Sequence, residues 1–161
     1  MTEEHRHLRD ALARYATGIA VATCSPPGAA SVGITINSFT SVSLEPPLVL
    51  WCIEKTASVY KAFNASDHYA VNILGAHQVD VSQRFAAQDR HVIAAGEAEA
   101  WKTGAPILPG CLAYLDCKVE NRYPAGDHDI LVGRVVKYAH ADNASPLLYY
   151  RSDYRAGPKV D

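Results

Sequence analysis

Apolar positions along the chain fall first into a helical spacing and then into a series of short strand-like runs. From Thr2 to about Ala16, Leu8, Ala11, Leu12 and Tyr15 follow the i, i+3, i+4, i+7 spacing of an amphipathic helix. Glu3 and Glu4 stand in its first turn, and Gly18 is placed to end it. Such a helix is expected to lay its apolar stripe on a sheet. Ile19 to Cys24 and Ser31 to Phe39, separated by Pro26-Pro27-Gly28, read as the two arms of a hairpin. Glu45-Pro46-Pro47 then turns the chain into Leu48 to Ile53, which is apolar on both faces and so expected at the centre of a sheet. Thr56 to about Asn64 reads as a short helix, His68 to Leu74 as a strand, and Val79 to Ala87 as another short helix.

Arg90 to Gly110 mixes Ala, Gly and Pro without a period and reads mostly as loop. After it, Cys111 to Tyr123 and Asp127 to His140, joined by Pro124-Ala125-Gly126, form the clearest long hairpin in the chain, and Pro146 to Tyr150 adds a last strand. Many strands with tight turns and few helices predict a mainly antiparallel β-barrel rather than a doubly wound sheet. No repeat, low-complexity tract or linker divides the 161 residues, so one domain over 1–161 is expected.

Composition narrows the function. Apolar residues are 48% and charged residues 20%, which suits a globular chain. A net charge of -2 from 15 basic and 17 acidic residues, well mixed, offers no field to draw nucleic acid or anionic lipid. Pro46 to Ile53 is too short to span a bilayer, and Met1-Thr2-Glu3-Glu4 lacks the features of a signal peptide; a cytoplasmic location is expected. Cys24, Cys52, Cys111 and Cys117 show no CxxC spacing and read as reduced, mostly core residues. His5 and His7 are two apart on a helix and point in different directions, so no metal site is expected.

Familiar reactive motifs are missing: the ten glycines give neither GxGxxG nor GxxxxGK, and there is no GxSxG, no HExxH and no close carboxylate pair in an apolar setting. A cofactor-dependent redox enzyme needs none of these, because the cofactor carries the reactivity and the protein supplies orientation. Thr35, Asn37 and Ser38 match the donor–acceptor edge of a flat heteroaromatic ring, with Ile34, Ile36 and Cys52 as apolar contacts. Thr and Ser are also at home on ordinary strands and turns. Lys55-Thr56-Ala57-Ser58 gathers an ammonium and two hydroxyls where a helix is expected to begin, an arrangement suited to a phosphate and equally to plain N-capping by Thr56 or Ser58. Gly126-Asp127-His128-Asp129 is a polar turn.

In order along the chain, ATGIAVAT (16–23), GITINSFTSVSLEPPLVLWCIEKTAS (33–58), RFA (84–86), AGDHDILVGRV (125–135) and PLLYYR (146–151) resemble the short-chain flavin reductases. These are the small components of two-component flavin-dependent monooxygenases. The resemblance implies a homodimer of FMN-binding split β-barrels, antiparallel and of Greek-key type, with a few peripheral helices. It also implies NADH or NADPH as hydride donor, FMN or FAD as acceptor, and release of reduced flavin to a partner oxygenase. Thr35, Ile36, Asn37 and Ser38 would face the flavin; Cys52 and Ile53 would line its site; Lys55 and Ser58 would hold phosphate; Arg84 and Phe85 would close one side. His128 would sit by the nicotinamide, orienting it and not acting as an obligatory base, with Tyr149, Tyr150 and Arg151 shaping the nucleotide pocket. Ser152-Asp153 stands where the family pattern leads one to expect Gly-Arg. A flavin carrier or sensor on the same barrel is the rival reading; an enzyme like pyridoxamine-phosphate oxidase would need a richer basic cluster than Lys55 gives.

Overall fold

The computed structural model describes residues 2–142 and 144–158; residues 1, 143 and 159–161 of the expected 1–161 span lie outside them. The order is α1 (Glu3–Leu12), β1 (Thr17–Gly18), β2 (Ala20–Cys24), β3 (Val32–Ile36), β4 (Thr40–Leu44), β5 (Pro47–Glu54), α2 (Tyr60–Ala65), β6 (His68–Ile73), α3 (Val79–Ala86), β7 (Glu99–Ala100), β8 (Pro106–Ile107), β9 (Ala113–Ala125), β10 (His128–His140), β11 (Leu147–Tyr150) and β12 (Asp153–Ala156). Seven strands make one antiparallel sheet in the order β3-β2-β6-β9-β10-β5-β4, and β1-β11-β12 make a second, smaller one.

The outer strands of the large sheet, β3 and β4, are consecutive in the chain, and only residues 37–39 separate them. Four residue steps reach no further than about 14 Å. The sheet must therefore curl until its two edges approach each other, and no ladder joins them. Ser38 holds the connection in place, its hydroxyl accepting from Cys52 N–H on β5 at 3.0 Å. Inside the curl Trp51 packs edge-on against Phe63 and Tyr69, with ring centroids 5.0 and 5.8 Å away. Gly133 leaves room for Tyr69: a Cβ there would lie 2.3 Å from its hydroxyl oxygen.

Four expectations change. Although α1 has its N-cap, Thr2 accepting from His5 N–H at 3.2 Å, none of its residues is buried, and Leu12 and Tyr15 are 66% and 79% exposed. Its apolar stripe lies on no sheet of this chain. Strand β5 sits second from the edge and buries only Val49, Trp51 and Ile53, because alternation turns Leu48, Leu50 and Cys52 to the half-exposed outer face. The hairpin turn is Gly126-Asp127, with Ala125 opposite His128, so Pro124 and Ala125 belong to the strand. Helix α2 starts at Tyr60, four residues later than expected. Among the described residues no helix is long and apolar enough to cross a membrane, and no group of His, Cys, Asp and Glu could hold a metal.

Candidate functional site

Strand β3 has β2 on one side and an open edge on the other. The loop after α3 covers the first half of that edge. Gly33 N–H donates to the His91 carbonyl and Ile93 N–H to the Ser31 carbonyl, both at 2.9 Å, and Val32 bridges Val92. Antiparallel pairing alternates, so Thr35 turns its N–H and C=O the same way as Gly33, beyond the reach of that loop. What remains open is the stretch from Thr35 to Asn37.

Three adjoining cavities follow this edge. One of about 610 Å³ is lined by Thr35, Ser58, Ala86, Gln88 and His91. A second of about 190 Å³ shares Thr35 and Ala86 with it and adds Ile36, Asn37, Tyr149 and Tyr154. A third of about 800 Å³ shares Asn37 and Tyr149 with the second, and reaches Arg9, Tyr15, Thr17 and Arg151. Together they form one trough with β3 as its spine. Its central groups are neutral. The Thr35 hydroxyl donates to Ser82 C=O at 2.7 Å, the Ser82 and Tyr154 hydroxyls share a hydrogen bond of 3.0 Å, and Tyr149 packs edge-on against Tyr154 at 5.7 Å. The buried Thr17 hydroxyl finds no partner among the described residues. A flat ring with an apolar body and a donor–acceptor edge suits these walls and this open backbone.

A second, charged rim lies where β5 meets the β9–β10 turn. Lys55 N–H donates to the Asp127 carbonyl at 2.9 Å, Lys55 Nζ donates to the Gly126 carbonyl at 2.7 Å, and the same ammonium lies 3.6 Å from Asp129. Asp129 also accepts from the Tyr60 hydroxyl at 2.5 Å, and this raises the pKa of the phenol above its ordinary 10.0. His128 stands opposite Glu54 with its Nδ1 2.8 Å from Asp127, which lowers the Asp127 pKa. Lys55 is thus engaged within the protein. The helix-terminus arrangement expected for phosphate does not form: α2 is six residues long, has no side-chain cap, and Thr56 donates to Glu54 at 2.6 Å instead.

The trough brings together Thr35, Ile36, Asn37, Ser58, Tyr149 and Arg151 of the residues chosen from sequence. It does not receive the side chains of Ile53 or Phe85, 2% and 1% exposed, which alternation and the helix face turn into the core. Cys52 lies on the outer face of β5, its thiol pKa raised by burial, and Tyr150 points to the other side of β11 from Tyr149. Arg84 is bound to both oxygens of Glu97 at 3.0 and 2.8 Å and to the Val92 carbonyl at 3.0 Å, so it braces the loop that covers β3. Thr17, His91 and Tyr154 line the trough without having been foreseen; they arrive by long-range pairing, which leaves no local signal.

A family model described as "Flavin reductase like domain" matches residues 12–158. The chain is 40% identical over 150 residues to the FMN reductase (NADH) SmoA of Agrobacterium fabrum, covering 91% of this chain and 83% of that one. It is 38% identical over 151 residues to HsaB of Mycobacterium tuberculosis, the reductase subunit of a flavin-dependent monooxygenase, covering 92% and 80%. Among solved structures it is similar to BorF, the flavin reductase component of a bacterial two-component tryptophan halogenase, with a TM-score of 0.89, 34% identity, and 97% and 99% coverage.

Proposed function

Since the chain belongs to the flavin reductase-like family, we propose that it reduces FMN or FAD with NADH or NADPH and hands the reduced flavin to a separate monooxygenase. When both partners are bound, the flavin supplies the hydride-accepting chemistry. The chain's own part is to bind, align and shield. The observation that carries the reading is the trough along the open edge of β3, neutral at its centre, with Thr35 and Asn37 shared between adjoining cavities.

In this reading Thr35, Asn37 and the intervening backbone hydrogen-bond the ring edge, Ile36 and Ala86 give it apolar contact, and Ser38 fixes the connection by holding Cys52. Ser58 faces the phosphate end. Tyr149 and Arg151 border the 800 Å³ space that would receive the nicotinamide nucleotide. His128 lies outside the lining of the three cavities, at the charged rim opposite Glu54. In this reading it acts on the nicotinamide nucleotide only as a positioning group, with Asp127 holding its Nδ1 and Nε2 left to hydrogen-bond, and no base is required. Lys55 braces that turn and does not grip phosphate. Arg84 and Phe85 act from behind, one on the loop and one in the core.

A single domain with split-barrel architecture and a homodimeric, cytoplasmic state complete the proposal. The curled sheet with unjoined edges supports the architecture, and the uncovered stripe of α1 with the half-exposed Leu48 and Leu50 supports a second copy. The test is NADH and NADPH oxidation crossed with FMN and FAD. Turnover with at least one pair is expected, and none with any pair overturns the reading. Purified protein that is nearly colourless argues for a diffusible flavin; permanently yellow protein without nicotinamide turnover would favour a carrier.

A further inference from the structure

The loop after α3 delivers a buried imidazole to the 610 Å³ cavity, and the flavin reading gives it no task. His91 is 9% exposed and lines that cavity beside Ser58, Thr56, Gln88 and Thr35. Two bonds fix it to the same residue: its carbonyl accepts from Gly33 N–H at 2.9 Å, and its Nδ1 lies 2.9 Å from the Gly33 carbonyl oxygen. A carbonyl oxygen only accepts, so Nδ1 carries the hydrogen and Nε2 is the nitrogen left for a ligand.

The charges around it leave it this role. Glu54 lines the same cavity and accepts from Thr56. Arg84 on α3 is neutralised by Glu97, Asp89 and Arg90 precede His91 in the chain, and Lys55 is turned to Asp129 and Gly126. The remaining lining groups are hydroxyls, one amide and apolar side chains. A phosphate entering beside Ser58 would meet the imidazole as the cation-forming group of that wall.

We infer that His91 is the residue that recognises the phosphate of a flavin mononucleotide moiety, an assignment that rests on the flavin-reductase reading. As the phosphate enters, the imidazole takes up one proton from solvent. Nε2–H then donates to a phosphate oxygen while Nδ1–H stays on Gly33. Riboflavin, which has no phosphate, gains nothing from the residue.

The test is fluorescence-quench titration of the purified protein with riboflavin and with FMN, together with calorimetry of FMN binding in two buffers of different ionisation enthalpy. Two substitutions separate anchor from contact. His91→Asn keeps a donor for the Gly33 carbonyl and removes the group facing the cavity; His91→Gln keeps a donor toward the cavity and gives up the anchor. With His91→Asn, FMN is expected to bind about tenfold or more weaker, the scale of one charge-assisted hydrogen bond, while riboflavin stays within about twofold. His91→Gln should keep more FMN affinity than His91→Asn. The heat of FMN binding should differ between the two buffers in the parent protein, as proton uptake requires, and should not differ in His91→Asn. FMN affinity unchanged in His91→Asn, or parallel losses for FMN and riboflavin, overturns the assignment while flavin binding itself stands. Failure of the parent protein to bind either flavin overturns the function reading, and this inference with it.

Discussion

The two rims beside the end of β3 use their polar groups in opposite ways. At the charged rim Lys55, Asp129, Tyr60 and the β9–β10 turn satisfy one another. At the neutral rim Thr35 and Ser38 turn their hydroxyls inward, to Ser82 and Cys52, and leave a stretch of strand edge open. Charges on a folded surface find partners within the fold, whereas a backbone edge stays available once its strand is an outer one. A site for a flat, mostly neutral ring is therefore better built from the second rim, with the first holding the His128 turn in place.

The substitution that should disturb this division most is Gly33→Ala. Its Cβ would lie 3.0 Å from two ring carbons of Phe85 and 3.1 Å from Val21, and both of those side chains are buried. Overpacking of this kind costs about 1–3 kcal/mol, read as a lower denaturant midpoint. Flavin affinity should fall too, since residues of α3 and β3 line the trough side by side. Stability equal to the parent would mean that these walls are not rigidly joined. Thr35→Val comes next. It removes the bond to Ser82, worth about 1 kcal/mol, and flavin binding should weaken along with stability. An unchanged flavin affinity would move the site away from the neutral rim.

A gain is expected at the tip of the smaller sheet. Arg151 and Ser152 form the two-residue turn between β11 and β12 at φ 51° and 61°, conformations that favour glycine. Ser152→Gly should raise stability by about 0.5–1 kcal/mol, the left-handed penalty less the entropy of the added glycine. Thermal unfolding measures it. A loss would show that the Ser152 side chain contributes a contact that outweighs the turn.

The sequence made some of this architecture visible and hid the rest for physical reasons. The long hairpin is legible because both arms are rich in Val, Leu, Ile and Tyr and a Pro-Ala-Gly turn signal stands between them, and the Thr35–Ser38 stretch because hydroxyls and an amide cluster where charge would be usual. Strand β4 is mostly exposed, so Thr40 to Leu44 lack a core-facing alternation. Strand β12 follows a turn without glycine, so nothing local announces it. Thr56 and Ser58 look like helix caps in the sequence, but their hydroxyls donate to Glu54 and to Gln88 C=O, and α2 starts only at Tyr60. Ile53 and Phe85 belong to motifs the resemblance assigns to the site, yet one faces inward by strand alternation and the other by its place on α3. His91 and Tyr154 reach the trough through pairings 58 and 72 residues apart in sequence, beyond any local pattern.

The smallest expected effect belongs to the charged rim and tests the comparison directly. Lys55 is 38% exposed, so its ion pair with Asp129 should contribute under about 1 kcal/mol. Lys55→Met should therefore unfold close to the parent and bind FMN and riboflavin with nearly unchanged affinities. A selective loss of FMN would show that the ammonium leaves Asp129 to hold phosphate, and the two rims would then share the ligand. Asp129→Asn gives the complementary reading through Tyr60. The bond from Asp129 raises the Tyr60 pKa, so the folded protein holds that proton more tightly than the unfolded chain. Its contribution to stability is whole below the ordinary tyrosine value of 10.0 and is lost as pH climbs through the raised one. In Asp129→Asn that alkaline loss should shrink, and a difference ultraviolet titration against the parent should show one tyrosine ionising at lower pH. If the two titrations coincide, the Tyr60–Asp129 bond does not hold the rim together, and the β9–β10 turn depends on Lys55 alone.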